Sequence, residues 1–122
     1  MRISAAESQV MEALWRREPL AAEEIFAEVG RAQGWAEGTV KTLINRLLKK
    51  KAVAAERDGR RYLYRPLVQR QDYVAAESQG LLDRLFDGRL APLVSHFSER
   101  QKLSDEDLAE LKRLIREIDN GR

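Results

Sequence analysis

The chain has 122 residues, 43% of them hydrophobic and 34% charged, with a formal net charge of only +2. That length makes one domain, or one small domain with a helical extension. The lack of cysteine removes disulfides, thiolate metal sites and thiol redox sensing, and a single histidine argues against a zinc site, so no metal or cofactor is expected. No run approaches the roughly 18 apolar residues of a membrane span, and MRISAAESQV has no apolar stretch of signal-peptide type, so the expected location is cytoplasmic.

Ser4-Ala5-Ala6-Glu7 has the spacing of a capping box, in which a hydroxyl and a carboxylate satisfy each other's backbone amides. Val10, Met11, Leu14 and Trp15 then recur at helical spacing, predicting a first helix to about Arg17 that Pro19 stops. A second helix is expected over 22–30, with Ile25 and Val29 inward and Glu23 and Glu24 beside its N-terminal dipole. Residues 31–35 read as a connecting turn, and Trp15 and Trp35 as core.

The third helix, 37–51, carries most of the information. Val40, Leu43, Ile44 and Leu47 follow the i, i+3, i+4, i+7 pattern of a buried face. The opposite face is Gly38, Thr42, Asn45 and Lys49, flanked by Thr39, Lys41 and Arg46. Short polar groups near the start and cations near the end suit a helix that enters the major groove. An ordinary solvated helix face has a similar polar stripe, so the helix alone does not decide.

The next segment adds weight. Runs at 53–57 and 60–65 bracket Asp58-Gly59, a strong hairpin signal that would gather Arg57, Arg60 and Arg61 at the tip. Tyr62 and Tyr64 fall on one strand face and Leu63 on the other. Between Gly38 and Pro66 nine basic residues face two acids, a local +7 in a chain of +2. Residues 1–66 hold 13 bases and 9 acids (+4), and 67–122 hold 9 and 11 (−2). Positive charge gathered on a helix and hairpin points to a polyanion, because each neutralised phosphate releases counterions.

Beyond Pro66 the pattern is helical only. One helix is expected over 69–86, broken by Asp87-Gly88, then a short amphipathic piece with Leu90, Leu93, Val94 and Phe97, then a helix capped by Ser104. Three short helices cannot enclose this much apolar surface alone, so two chains are expected to share it.

The expected architecture is mainly α: a winged helix-turn-helix (three helices plus a β-hairpin wing) over 1–67, followed by a helical dimerisation region over 68–122. Thr39, Lys41, Thr42, Asn45 and Arg46 are expected at base edges, and Lys49, Arg57, Arg60, Arg61 and Tyr62 at the DNA backbone. Leu81, Leu85, Phe86, Leu93, Phe97, Leu108, Leu111 and Ile115 are the expected dimer contacts.

In this arrangement ISAAESQVMEALW, GTVKTLINRLLKKKAV, ERDGRRYLYRPLV and LVSHFSERQKLSDEDLAELKRLI make the chain resemble the penicillinase-repressor (BlaI/MecI/CopY) family of bacterial winged-helix repressors. The resemblance spans nearly the whole chain. It implies a homodimer on double-stranded DNA bearing an inverted repeat, often of TACA/TGTA type, that blocks transcription until a signal lifts it. It also implies a membrane-bound sensor protease as partner for one branch, which cleaves an Asn-Phe bond; the aligned pair here is His96-Phe97, with the phenylalanine matched and the asparagine not. The copper-responsive branch has a cysteine-rich tail, which this chain lacks. Lys51 stands where a glycine commonly follows the recognition helix, so an end of a different kind is expected, and Ala36 replaces a capping serine.

An enzyme is disfavoured because no serine, acid or histidine has a spacing that favours a catalytic constellation. A non-sequence-specific chromosomal protein and a winged-helix protein-interaction module are the remaining alternatives. The first predicts no operator preference; the second predicts a neutral or apolar recognition face.

Overall fold

The computed structural model describes residues 2–121. They fall into two compact units, Met1–Ala75 and Ala76–Arg122. The boundary follows Ala75 rather than residue 67, because the first turn of the next helix packs on the first unit: Tyr73 stacks on Trp15 with ring centroids 5.5 Å apart, and Arg70 pairs with Glu12 at 2.9 Å.

In the first unit, helix α1 (Ala5–Arg16) opens with the capping box expected for it. Glu7 N–H donates to Ser4 Oγ at 3.1 Å, and Ser4 N–H donates to Glu7 Oε1 at 2.8 Å. A two-residue strand, β1 (Leu20–Ala21), follows. Helix α2 comprises Ala22–Ile25, a π-helical segment Phe26–Gly30 and Arg31–Gln33 in unbroken succession. It therefore runs past the expected end at Gly30 through three of the residues read as a turn. Gly34, at φ 74, ends it instead. Trp35 N–H reaches Gly30 O at 2.8 Å and Gly34 N–H reaches Arg31 O at 3.3 Å, which closes the exposed carbonyls of the last turn.

Helix α3 (Glu37–Lys49) buries Val40, Leu43, Ile44 and Leu47. Each contributes roughly 1.5–3 kcal/mol of apolar burial. They meet Val10, Met11 and Leu14 of α1 and Ile25 and Val29 of α2 in one core cluster, with Trp15 and Trp35 half-buried at its margin. The helix is two residues shorter than its pattern, ending before Lys50. Lys51 takes φ 61, and Ala52 N–H donates back to Leu47 O at 2.9 Å. The left-handed ending that a glycine would favour thus forms with lysine in its place.

Strands β2 (Val53–Asp58) and β3 (Arg61–Pro66) pair antiparallel, with Asp58 opposite Arg61, so Gly59 and Arg60 form the turn. The turn lies one residue later than Asp58-Gly59. Gly59, at φ 64, occupies the first turn position, where a twisted hairpin of this length needs left-handed backbone. On the other edge β3 pairs with β1, Leu20 opposite Tyr64, giving a three-stranded sheet in the order β1-β3-β2. Three helices and this sheet make a winged helix-turn-helix.

Helix α4 (Arg70–Leu85) begins in the first unit and continues into the second. Asp87 and Gly88, at φ 52 and 74, end its course. Helices α5 (Leu90–Glu99) and α6 (Asp105–Asn120) complete the second unit. Ser104 Oγ accepts from Asp107 N–H at 3.0 Å, and Asp105, Glu106 and Asp107 lie in the first turn of α6, where its dipole favours negative charge. Among the described residues no helix is long and apolar enough to cross a membrane.

Candidate nucleic-acid interface

Burial of one face of α3 leaves the other in solvent. Thr39, Lys41, Thr42, Asn45, Arg46 and Lys49 are all exposed. Thr42 Oγ1 donates to Gly38 O at 2.9 Å, which settles its hydroxyl proton on the helix and turns its remaining surface outward. A methyl and an oxygen lone pair are groups that can meet a thymine methyl or a base donor. Gly38 opens onto free space where a side chain would stand, so the helix backbone itself is accessible there.

The wing supplies cations with different partners. Arg57 Nε donates to Gly59 O at 3.1 Å within the hairpin, and Arg60 projects from the turn. Arg65 pairs with Glu56 across the strands at 2.8 Å. Arg61 meets Asp58 at 3.4 Å, Glu23 at 3.3 Å and Glu24 at 4.0 Å. The Asp58 carboxylate, against a smaller opposing effect of desolvation, and then Glu23, hold this guanidinium above its ordinary value. Among the described residues, Lys41, Arg46, Lys49, Lys51, Arg57 and Arg60 enter no ion pair, and all six are exposed. They are the uncompensated part of the local charge excess.

Tyr62 is about half exposed, whereas Tyr64 is more enclosed and burial, then the neighbouring Tyr62, pushes its phenol up. Both line a cleft of about 340 Å³ together with Phe26, Glu37, Lys41 and Arg61, between α2, the start of α3 and β3. Its charges cancel, two acids (Glu23, Glu37) against two bases.

Lys50 belongs to a different system. Its ammonium hydrogen-bonds to the carboxylate of Glu7, 1% exposed, and donates to Arg2 O at 2.7 Å. Lys50 therefore ties the end of α3 to the start of α1. Sequence reasoning found Glu7 as a cap and Glu23 as a dipole charge but missed both long-range pairings. Neither leaves a local signal beyond the presence of opposite charges.

In the second unit no residue of α5 or α6 is buried. Leu81, Leu85, Phe97, Leu108 and Ile115 are exposed, and Phe86, Leu93 and Leu111 are partly covered. Leu93, Val94, Phe97, Leu103, Leu111 and Leu114 line an apolar groove of about 350 Å³. The His96-Phe97 peptide bond lies inside α5, and the His96 ring stands edge-on to Phe97 at 5.4 Å.

Residues 3–117 match the family described as Penicillinase repressor. The chain is 32% identical over 119 residues to the penicillinase repressor of Bacillus licheniformis, covering 98% of this chain and 93% of that protein. It is 30% identical over 113 residues to the methicillin resistance regulatory protein MecI of Staphylococcus aureus (strain N315), covering 93% and 92%. Among solved structures, the monomeric form of Bacillus licheniformis BlaI in complex with the blaP half-operator is 32% identical with a TM-score of 0.54, over 60% of this chain and 89% of that one. The chain belongs to the penicillinase repressor family.

Proposed function

We propose that the protein is a bacterial transcriptional repressor that binds an inverted-repeat operator as a homodimer in the cytoplasm. The observation that carries this reading is the outward face of α3 beside the wing, with six exposed cations that no carboxylate of the described residues neutralises. A relative, BlaI, has been solved with a half-operator, and this chain shares its winged-domain fold at 32% identity.

In this reading α3 lies in the major groove. Thr39, Lys41, Thr42, Asn45 and Arg46 face base edges, because their side chains leave the helix opposite its buried stripe. Lys49, Arg57 and Arg60 neutralise phosphates on either side, and Tyr62 offers a hydroxyl to the backbone. The apolar surface of the second unit pairs with that of a second copy, and two-fold symmetry matches the two half-sites. A protease that inactivates the repressor at His96-Phe97 must first unwind α5, since proteolysis needs extended backbone.

Duplex selection from a random pool tests the reading. A symmetric site should emerge, bound more tightly than scrambled duplex at every salt concentration. Thr42→Ala or Asn45→Ala should change the preferred bases at a cost of about 1–3 kcal/mol. Arg57→Ala with Arg60→Ala should weaken all duplexes alike and lower the salt slope by about two. Equal affinity for symmetric and scrambled duplexes would leave the non-specific chromosomal alternative.

A further inference from the structure

We propose that Arg61 positions the wing by bridging to Glu23 of α2, and is not itself a phosphate ligand. This rests on the DNA-binding reading and changes the role of one of its arginines.

The sheet explains why such a tie matters. Strand β1 pairs with β3 only at Tyr64 and Leu63, so the hairpin beyond Leu63 has no third strand beside it. The pairs Arg57–Tyr62 and Asp58–Arg61, with the turn, project beyond the third strand. Among the described residues, Arg61 Nη1 to Glu23 Oε1 is the one side-chain hydrogen bond joining this projecting part to another element. Glu23 follows β1 by two positions, so the bridge continues outward from where the backbone pairing stops. Glu24 is already fixed, its Oε1 accepting from Ala21 N–H at 2.9 Å, and adds a second carboxylate within 4.0 Å of the guanidinium.

Charge accounting separates Arg61 from its neighbours. Three carboxylates surround it, so a phosphate would have to displace them, and few counterions would be released on the DNA in exchange. Among the described residues Arg57 and Arg60 meet no carboxylate, so on contact with phosphate each would release counterions fully. Exposed pairs are weak one by one, but a guanidinium shared among several acids holds a more defined geometry.

The test is duplex binding across a salt series for the full-length protein and the variants Glu23→Ala, Arg60→Ala, Arg61→Ala and Glu23→Ala/Arg61→Ala. Removing an acid near a polyanion ordinarily tightens binding. Here Glu23→Ala is expected to weaken it by about two- to fivefold, the range of an exposed ion pair, with the salt slope unchanged. Arg61→Ala should do the same, and the double variant should be no worse than Arg61→Ala alone. Arg60→Ala should lower the slope by about one. Tighter binding by Glu23→Ala, or a slope for Arg61→Ala that falls like that of Arg60→Ala, would overturn the proposal. Melting curves check that each variant is folded, and Arg61→Lys supplies a milder change: a phosphate contact would survive it, whereas the forked bridge to Glu23 and Asp58 would be lost with the same fall in affinity. Because backbone contacts are read on any duplex, the comparison remains valid on scrambled DNA, whereas failure of the operator reading would appear only as a lack of sequence preference.

Discussion

The Lys50 ammonium, at the end of α3, meets the carboxylate of Glu7, 43 positions earlier in the chain. Glu7 Oε1 also accepts from Ser4 N–H, while Oε2 is buried without a hydrogen-bond partner among the described residues. One carboxylate therefore serves both the cap of α1 and the anchor of α3. Removing Lys50 leaves that charge buried, so Lys50→Met should cost about 2–4 kcal/mol, below the upper range for such pairs because Lys50 is partly hydrated. Glu7→Gln keeps the shape and should cost about 1–2 kcal/mol. Urea melts measure both.

The same pair sets an acid limit. Burial alone would raise the Glu7 carboxyl, but the Lys50 hydrogen bond, the Ser4 backbone and hydroxyl bonds and the Lys50 charge together hold it below its ordinary 4.5. A depressed folded value means the unfolded chain binds the proton first. The stabilisation is complete above about pH 4.5 and is lost as pH falls through the lower folded value. Stability measured from pH 6 to 3 should fall less steeply in Glu7→Gln than in the wild type.

Lys51 holds a left-handed backbone that a glycine would adopt without a Cβ penalty. Lys51→Gly should stabilise the winged unit by about 1 kcal/mol, raising its melting temperature by roughly 4–8 °C. Because the substitution also removes a cation from an already basic surface, the melts belong at high salt, where charge effects are screened.

Ala36 starts α3 with extended backbone but no side-chain acceptor. Ala36→Ser supplies one, and about 1 kcal/mol of added stability is expected. Gly38→Ala, in the first turn of α3 with open space around the new methyl, should add about 0.5 kcal/mol, the low end for a helical glycine because the position is not interior. Thermal melts of the two single variants and their combination measure the gain and its additivity.

The second unit leaves Leu85 65% and Ile115 58% exposed in the single chain. Ile115→Asp should therefore leave the chain's own helices intact while blocking self-association. Leu111→Ala should weaken the proposed dimer by about a hundredfold or more, because each of the two chains loses a leucine worth about tenfold. Sedimentation equilibrium measures both, and a monomeric wild type would refute the dimer.

Local signals carried the elements well. The period of Val40, Leu43, Ile44 and Leu47 located α3, and Ser4 and Ser104 located two helix starts, because these are contacts within four residues. Strand β1 was not legible, since two residues show no alternation and owe their extended form to Tyr64 and Leu63. Helix α2 outlasts the expected 22–30 because Gly30 keeps helical backbone and it is Gly34 that takes the left-handed conformation. Asp58-Gly59 gave the hairpin but not its register, since a single left-handed residue at the first turn position was enough. At the candidate interface, exposure of the α3 residues followed from the helical period. The division between paired Arg61 and unpaired Arg60 did not, because it depends on where Glu23 arrives in space.

Trp15 donates its indole N–H to Val68 O at 2.8 Å and packs on Tyr73, and the other tryptophan, Trp35, borders the same core. Every indole in the chain thus reports on one half of the molecule, and residues 76–122 are optically silent at wavelengths that excite tryptophan selectively. Emission spectra will follow loss of the winged half, while far-ultraviolet ellipticity sums all helices. Any gap between the two denaturation midpoints would register directly whether the halves come apart in sequence or together.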